Sequence, residues 1–307
     1  MARFIFKRLL QLIPTLLGVT LLTFLLFNVL GTSPAMQVLG KNATPEAIAE
    51  YDHLHGYDRP LVIQYVSYLA DLCVGDFGES LEYREPVWNV LRSGVGVSLA
   101  LTVPILLLGT VLALLVGLLC AARAGGLLDR TMLGCTTALM SINYVIWVAA
   151  GQYFLAYRWN LFPLWGFENW TYLLLPILIG IVSSLGSDAR FYRTVILDEI
   201  RKPSVRTALA KGLSPARILF GHVLRNSLIP VVTNVSLAVP FLFTGSILLE
   251  SFYGIPGLGG IGLNAVNASD YATVRAVVVI GALLYQLSNL AADLLNAWLD
   301  PAVRLRT

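Results

Sequence analysis

"PSVRTALAKGLSPARILFGHVLRNSLIP", Pro203–Pro230, carries Arg206, Lys211, Arg217 and Arg225 and no acidic residue, and Arg201 and Lys202 stand just before it. Two helices read from it. Pro203 suits a first helical turn, and Ser204–Lys211 contains the good helix formers Ala208, Leu209 and Ala210. Gly212 fits the position after a helix end, where a positive φ is often needed. Ser214 and Pro215 make an N-cap and first-turn pair, and Ala216–Asn226 continues a second helix. The stretch is helix, glycine turn, helix, and long apolar runs lie on both sides of it.

Those runs set the class of the protein. Hydrophobic residues are 57% of the 307-residue chain and charged residues 13%, against about 45–50% and about 25% in soluble domains. A soluble core of this size cannot hide that excess, so the chain reads as a membrane protein. Six runs carry no charge: Leu9–Leu30, Val95–Ala122, Thr131–Tyr157, Thr171–Ser187, Ser227–Leu249 and Ala276–Ala292. About 20 apolar residues cross the hydrocarbon layer as a helix. The fourth and sixth runs, with 17 residues each, are at the lower limit. The sixth can continue past Asp293 to Leu299. Leu9–Leu30 follows Arg3, Lys7 and Arg8 as a signal peptide would, but its apolar run is too long for one, so it reads as a retained span.

Basic residues orient the spans. With the N-terminus cytoplasmic, 15 of the 21 Lys and Arg residues fall on inner segments, and only Lys41, Arg59, Arg84, Arg92, Arg158 and Arg275 fall outside. Both termini are then cytoplasmic, and residues 31–94 are external. The chain divides into a cytoplasmic N-terminus with span one (1–30), the external segment (31–94), and a core of spans two to six (95–307). That core includes the basic segment 201–226. The external segment is too long for a plain turn. It holds an acidic set that includes Asp52 and Glu82, and Thr44-Pro45 starts a short helix there. No internal repeat or low-complexity linker interrupts the chain.

A basic amphipathic segment at the inner face suits anionic lipid. It also suits a docking element, since a short rigid helix pair can enter a groove on a soluble partner. Here the sequence resembles a known family. "RTALAKGLSPARILFGHVLRNSLIP" is similar to the coupling motif of ABC-importer permeases of the dipeptide, oligopeptide and nickel type. Arg206, Thr207, Ala208, Ala210, Lys211, Gly212, Leu213, His222, Arg225, Asn226 and Pro230 carry the match. Pro203-Ser204 departs from the acidic and aromatic pair expected there. "GDFGESLEYREPVWNVL" (75–91), "FYGIPGLGG" (252–260), "DYATVRAVV", "NLAADLLNAWLDPAVR" (289–304) and the N-terminal "FKRLLQLIPTLLGVTLLTFLL" resemble the same subfamily in order. Asn143 stands where that family usually has proline, which implies an altered kink in span three.

The resemblance implies an all-α, six-span permease of the type I importer class in the bacterial inner membrane. It implies a heterodimer with a second related permease, and two cytoplasmic ATPases that bind ATP and Mg. An external binding protein would deliver peptides, or alternatively nickel, a metallophore, an opine or glutathione. Arg206, Thr207, Ala208, Lys211, Gly212, Leu213 and Ser214 would couple to the ATPase, with Ala208 small where the partner approaches. Asp52, Glu82, Pro256, Gly257, Asn264 and Asp270 would form the face toward the binding protein or a gate. No nucleic-acid role is implied.

The chain's own residues agree with this reading, and an ion-coupled secondary transporter is the alternative from another class. No GxxxxGK[ST] loop occurs, so nucleotide chemistry belongs elsewhere. No catalytic set converges, and the nearly uncharged spans argue against an ion-coupled secondary transporter. Cys73, Cys120 and Cys135 lack CxxC spacing and are odd in number, so no zinc site or disulfide framework follows. His53 and His55 are too few ligands for a metal. Asp188 and Arg190 read as a boundary salt bridge, and Asp293 with Asn289 as a structural pair or a snorkelled position. "GIPGLGGIG" lacks both a helix N-terminus and a basic residue for a phosphate nest. It reads as a tight external turn or re-entrant loop.

Overall fold

The computed structural model describes residues 2–29, 34–40, 43–244 and 246–299. Lys41, Arg304 and Arg306, used in the charge asymmetry, lie outside the described residues. In chain order the helices are α1 (Ala2–Phe24), α2 (Pro34–Leu39), α3 (Pro45–His55), α4 (Leu61–Val74), α5 (Val87–Ala122), α6 (Leu127–Ser141) and α7 (Tyr144–Gly151). They continue with α8 (Leu174–Ile200), α9 (Pro203–Ala210), α10 (Pro215–Ile218), α11 (Leu224–Thr244), α12 (Ile247–Tyr253), α13 (Leu258–Asn267) and α14 (Tyr271–Leu299). Among the described residues, the only strand-like pairing is a single antiparallel bridge between Glu79 and Pro86.

Five helical stretches are long and apolar enough to cross a membrane: Leu10–Asn28, Val87–Ala122, Trp170–Ile200, Pro215–Leu242 and Tyr271–Leu294. The third expected span, Thr131–Tyr157, is not one helix. It is a pair bent by 89°, Leu127–Ser141 and Tyr144–Arg158. The break falls at Ile142 and Asn143, whose backbones are extended, and the Asn143 side chain accepts a hydrogen bond from Val145 N at 2.9 Å. Asparagine ends one helix and caps the next, a sharper change than an altered kink.

Span four is longer than its charge-free run, because α8 continues through Asp188, Arg190, Arg193, Asp198 and Glu199. Its helix survives these charges because the inward ones are matched. Arg193 donates through Nε and NH2 to both carboxylate oxygens of Asp129 at 2.7 Å, and Asp129 also accepts from Gly125 N at 2.8 Å. The expected Asp188–Arg190 bridge is absent among the described residues. Side chains two apart on a helix do not face one another, and Arg190 instead reaches Thr137 Oγ1 at 3.4 Å. Asp293 is half-buried on α14.

The bundle is centred on α5 packed along α8. Their approach requires small residues, as close membrane helix pairs do. A Cβ at Gly117 would lie 2.9 Å from Arg193 N and 3.1 Å from Ala189 O, and one at Gly180 would lie 2.6 Å from Ile105 Cδ1. We expect Gly117→Val to destabilise the protein by about 1–3 kcal/mol, since backbone atoms cannot give way. Gly96→Val, where a Cβ meets nothing within 4 Å, should leave the thermal unfolding of detergent-purified protein unchanged. Equal unfolding temperatures for the two variants would contradict this packing.

At 36 residues, α5 is about 54 Å long, and it joins buried clusters along its whole length. In its first half, Leu101 joins Val148, Ile179, Leu249, Tyr253 and Ile255. Near its finish, Leu118 and Ala121 join Ile196, Val205, Ala208, Ile218 and Val223. Each of these two clusters supports one candidate site.

Candidate functional site

At the finishing end of α5, the basic segment folds as its residues dictate. Pro203 opens α9. Gly212 adopts φ +78°, with open space where a Cβ would stand, so glycine is needed there for its backbone alone. Leu213 N closes the turn onto Ala208 O at 3.3 Å. Ser214 caps α10 by accepting from Arg217 N at 3.4 Å, with Pro215 at the first position. The second helix does not end near Asn226. It passes through a π-helical turn at Leu219–Val223 into α11, with Pro230 inside, so it is continuous with span five.

The pair has two faces. Val205 and Ala208 point into the chain's own cluster against Leu118, Ala121 and Ile196, and Leu213 packs partly against it. Ala208 is 7% exposed, so its small side chain answers packing within this chain, where the sequence reading gave it to a partner. Arg206, Thr207, Lys211, Gly212 and Ser214 are exposed, and so is Leu209, at 52%. The outer face is thus an apolar residue flanked by two cations on a short, rigidly seated helix.

At the starting end of α5, the glycine-rich stretch is a helical hairpin. Gly254, at φ +67°, ends α12, and α13 starts after Gly257. A helix N-terminus is therefore present, contrary to the sequence reading, and a carboxylate from the same hairpin occupies it. Glu250 is fully buried. Its Oε2 accepts from Gly260 N at 2.8 Å, and its Oε1 accepts from Ser246 N at 3.1 Å and Ser98 Oγ at 2.8 Å. Ser98 Oγ in turn accepts from Leu258 N at 2.9 Å, which leaves its one proton for Glu250. Burial pushes the Glu250 carboxyl above its usual range, opposed by the hydrogen bonds from Gly260, Ser98, Ser246 and Gly259. Each of these partners donates, which suits the ionised form at a positive helix end. A Cβ at Gly257 would sit 2.4 Å from Glu250 Cδ, and one at Gly259 would sit 3.0 Å from Glu250 Oε2, so the glycines make room for the carboxylate.

The loop after α7 clasps this hairpin. Gly166 N donates to Tyr253 O at 2.7 Å, Gln152 Nε2 donates to Leu164 O at 3.1 Å and Phe252 O at 3.0 Å, and Tyr253 Oη donates to Val148 O at 3.2 Å. Further along, buried Asp270 accepts from Thr273 Oγ1 at 2.7 Å, from Ser80 Oγ, and from Glu82 N at 3.4 Å. That carboxylate fastens the 80–86 turn to the start of α14.

Of the expected outer residues, Glu82 and Asp270 are brought together, and Gly257 lies against Glu250. Pro256 and Asn264 are exposed on the hairpin. Asp52 lies on α3 and, among the described residues, makes no hydrogen bond to the other five. His53 pairs with Asp58 at 2.8 Å while His55 turns to Tyr51 O at 2.9 Å, so the two rings do not converge. Sequence reading missed Glu250, Ser98, Ser80 and the Asp129–Arg193 pair. One signal for Glu250 was available: it is the acid that terminates an otherwise uncharged run directly before five closely spaced glycines.

Residues 113–305 match the family described as binding-protein-dependent transport system inner membrane component, and residues 1–102 match the N-terminal region of such membrane components. The chain belongs to this permease family. The permease is 34% identical to the di/tripeptide transport system permease protein DppB of Pseudomonas aeruginosa, over 99% of both chains. It is 33% identical to the glutathione transport system permease protein GsiC of Salmonella typhimurium over the full length of each. Identity is 32% to the dipeptide transport system permease protein DppB of Lactococcus lactis, over 99% of this chain and 100% of that one. Its fold is similar to a solved inward-facing structure of the MetNI methionine ABC transporter, with a TM-score of 0.57 and 23% identity over 69% of this chain and 96% of that one. The permease is thus a multi-pass inner-membrane transporter component and not itself an enzyme.

Proposed function

We propose that the permease forms half of the pathway of an ATP-driven importer of short peptides. In this reading an external binding protein delivers the peptide to the α12–α13 hairpin and the 31–94 segment. Two ATPases engage α9 on the cytoplasmic side, where both termini also lie. The observation that carries the substrate class is full-length similarity to permeases named for dipeptides, di/tripeptides and glutathione. Glutathione is itself a short peptide, so one class covers all three. The exposed face of α9 supports the ATPase assignment, because a partner groove can take Leu209 while Arg206 and Lys211 contribute at its rim. A second, related permease would cover the apolar groove between α13 and α14, lined by Leu263, Val274, Val278 and Gly281.

Whole-cell uptake with and without the gene tests the substrate class. Labelled di- and tripeptides, longer peptides, glutathione and chelated nickel would be compared at equal concentration. Uptake of one or more short peptides should depend on the gene. Gene-dependent uptake of chelated nickel alone would overturn the peptide reading in favour of the metal one.

A further inference from the structure

Between α1, α4, the 76–78 loop and the first turns of α14 lies a cleft of about 240 Å³. Its walls carry both signs of charge: Arg59 and Arg275, Asp71 and Asp76. Arg275 lies one turn into the sixth span, a position where a guanidinium is costly unless its donors are used. Among the described residues it makes one hydrogen bond, from NH1 to Asn28 Oδ1 at 3.0 Å, and lies 5.5 Å over the Tyr68 ring. A guanidinium has five N–H donors, so most of its capacity is available to a ligand in the cleft. The polar wall is braced, since Gln64 Nε2 donates to Tyr57 O at 2.8 Å and to Arg59 O at 2.7 Å.

The surroundings place this cleft at a membrane boundary. Beside it α4 turns Val62, Val66 and Val74 outward, between 59% and 80% exposed. Tyr65 and Tyr68 pack on Phe24, and Tyr271 packs on Phe27. Tyrosines gather at the membrane–water interface, and a helix with an uncovered apolar side and a polar inner side lies along it. A ligand there meets two cations, two carboxylates and an adjoining apolar strip.

We propose that the cleft binds the headgroup of a zwitterionic phospholipid, phosphatidylethanolamine. Its phosphate is held by Arg275 and Arg59, its ammonium by Asp71 and Asp76, and its acyl chains lie along the apolar side of α4. A purely anionic headgroup would satisfy the arginines but bring no cation to the two carboxylates. The bound lipid fastens α4 and span one to the start of α14.

The test is native mass spectrometry of the full-length chain after passage through nanodiscs of equimolar phosphatidylethanolamine and phosphatidylglycerol. The wild type should retain phosphatidylethanolamine in preference. Arg59→Gln with Asp71→Asn changes only exposed rim residues and should lower that retention by at least about tenfold, since it removes two charge-assisted contacts. Arg275→Gln should do the same, and if it fails to fold the rim pair alone decides. Equal retention of both lipids by the wild type, or full retention by the rim variant, overturns the proposal. So does a cleft that takes soluble phosphoethanolamine or a dipeptide while retaining no lipid, since its ligand would then be a free zwitterion.

Discussion

Glu250→Ala should abolish uptake and leave little folded protein after detergent extraction. The substitution removes the acceptor for Gly260 N, Ser246 N and the Ser98 hydroxyl inside a fully buried site. Leaving a buried donor without its acceptor costs about 1–3 kcal/mol each, and three such losses are comparable to a large part of a domain's net stability. Glu250→Gln distinguishes charge from shape. Its amide nitrogen would face an N–H or O–H donor, so we expect it to resemble the alanine variant more than the wild type. Ser98→Ala keeps the carboxylate but leaves Leu258 N without its acceptor, and should cost about 1–3 kcal/mol. Thermal unfolding of the purified variants gives the ordering. A Glu250→Gln protein as stable as the wild type would contradict an ionised carboxylate at the start of α13.

Leu209→Asp should produce the opposite pattern: a stable protein that does not transport. The side chain is exposed, so the change in stability should stay within about 0.5 kcal/mol. A charge placed into the apolar contact with the ATPase should reduce peptide-stimulated hydrolysis and uptake by at least about tenfold. Ala208→Asp should instead act through the fold, because it puts a charge among Leu118, Ile196 and Val223. Gly212→Val should cost about 1–2 kcal/mol from the positive φ it must adopt. Reading unfolding and coupled hydrolysis on the same samples separates these routes. Normal coupled transport by Leu209→Asp would remove α9 as the docking element.

Which parts of this were legible follows from the range of the interactions. The helix, turn, helix of residues 203–226 was written locally by Pro203, Gly212 and the Ser214-Pro215 cap, and its elements start where those residues put them. The apolar runs marked the spans for the same reason. What failed was anything that required knowing a neighbour. Ala208 is small because it packs close, but a sequence cannot say whether the close partner is another protein or Leu118 ninety positions earlier. The break at Asn143 has no glycine or proline beside it, and the cap geometry that stabilises it is an ordinary property of asparagine. Span four looked short because charges end its apolar run, and the helix goes on because Asp129, on another helix, answers Arg193. The Glu250 cluster joins residues 98, 246, 250, 258 and 260. No spacing rule connects the first of these to the rest.

The most direct test of the account is a crosslink from the outer face of α9. Leu209→Cys would be introduced after the exposed Cys73 and Cys135 are replaced by serine, with buried Cys120 retained. A short thiol crosslinker would then be applied to membranes containing the assembled transporter. A product should join this permease to its ATPase subunit, and it should weaken when ATP changes the state of the complex. A residue 209 that labels readily but reaches only lipid or nothing, in a transporter that remains active, would contradict it.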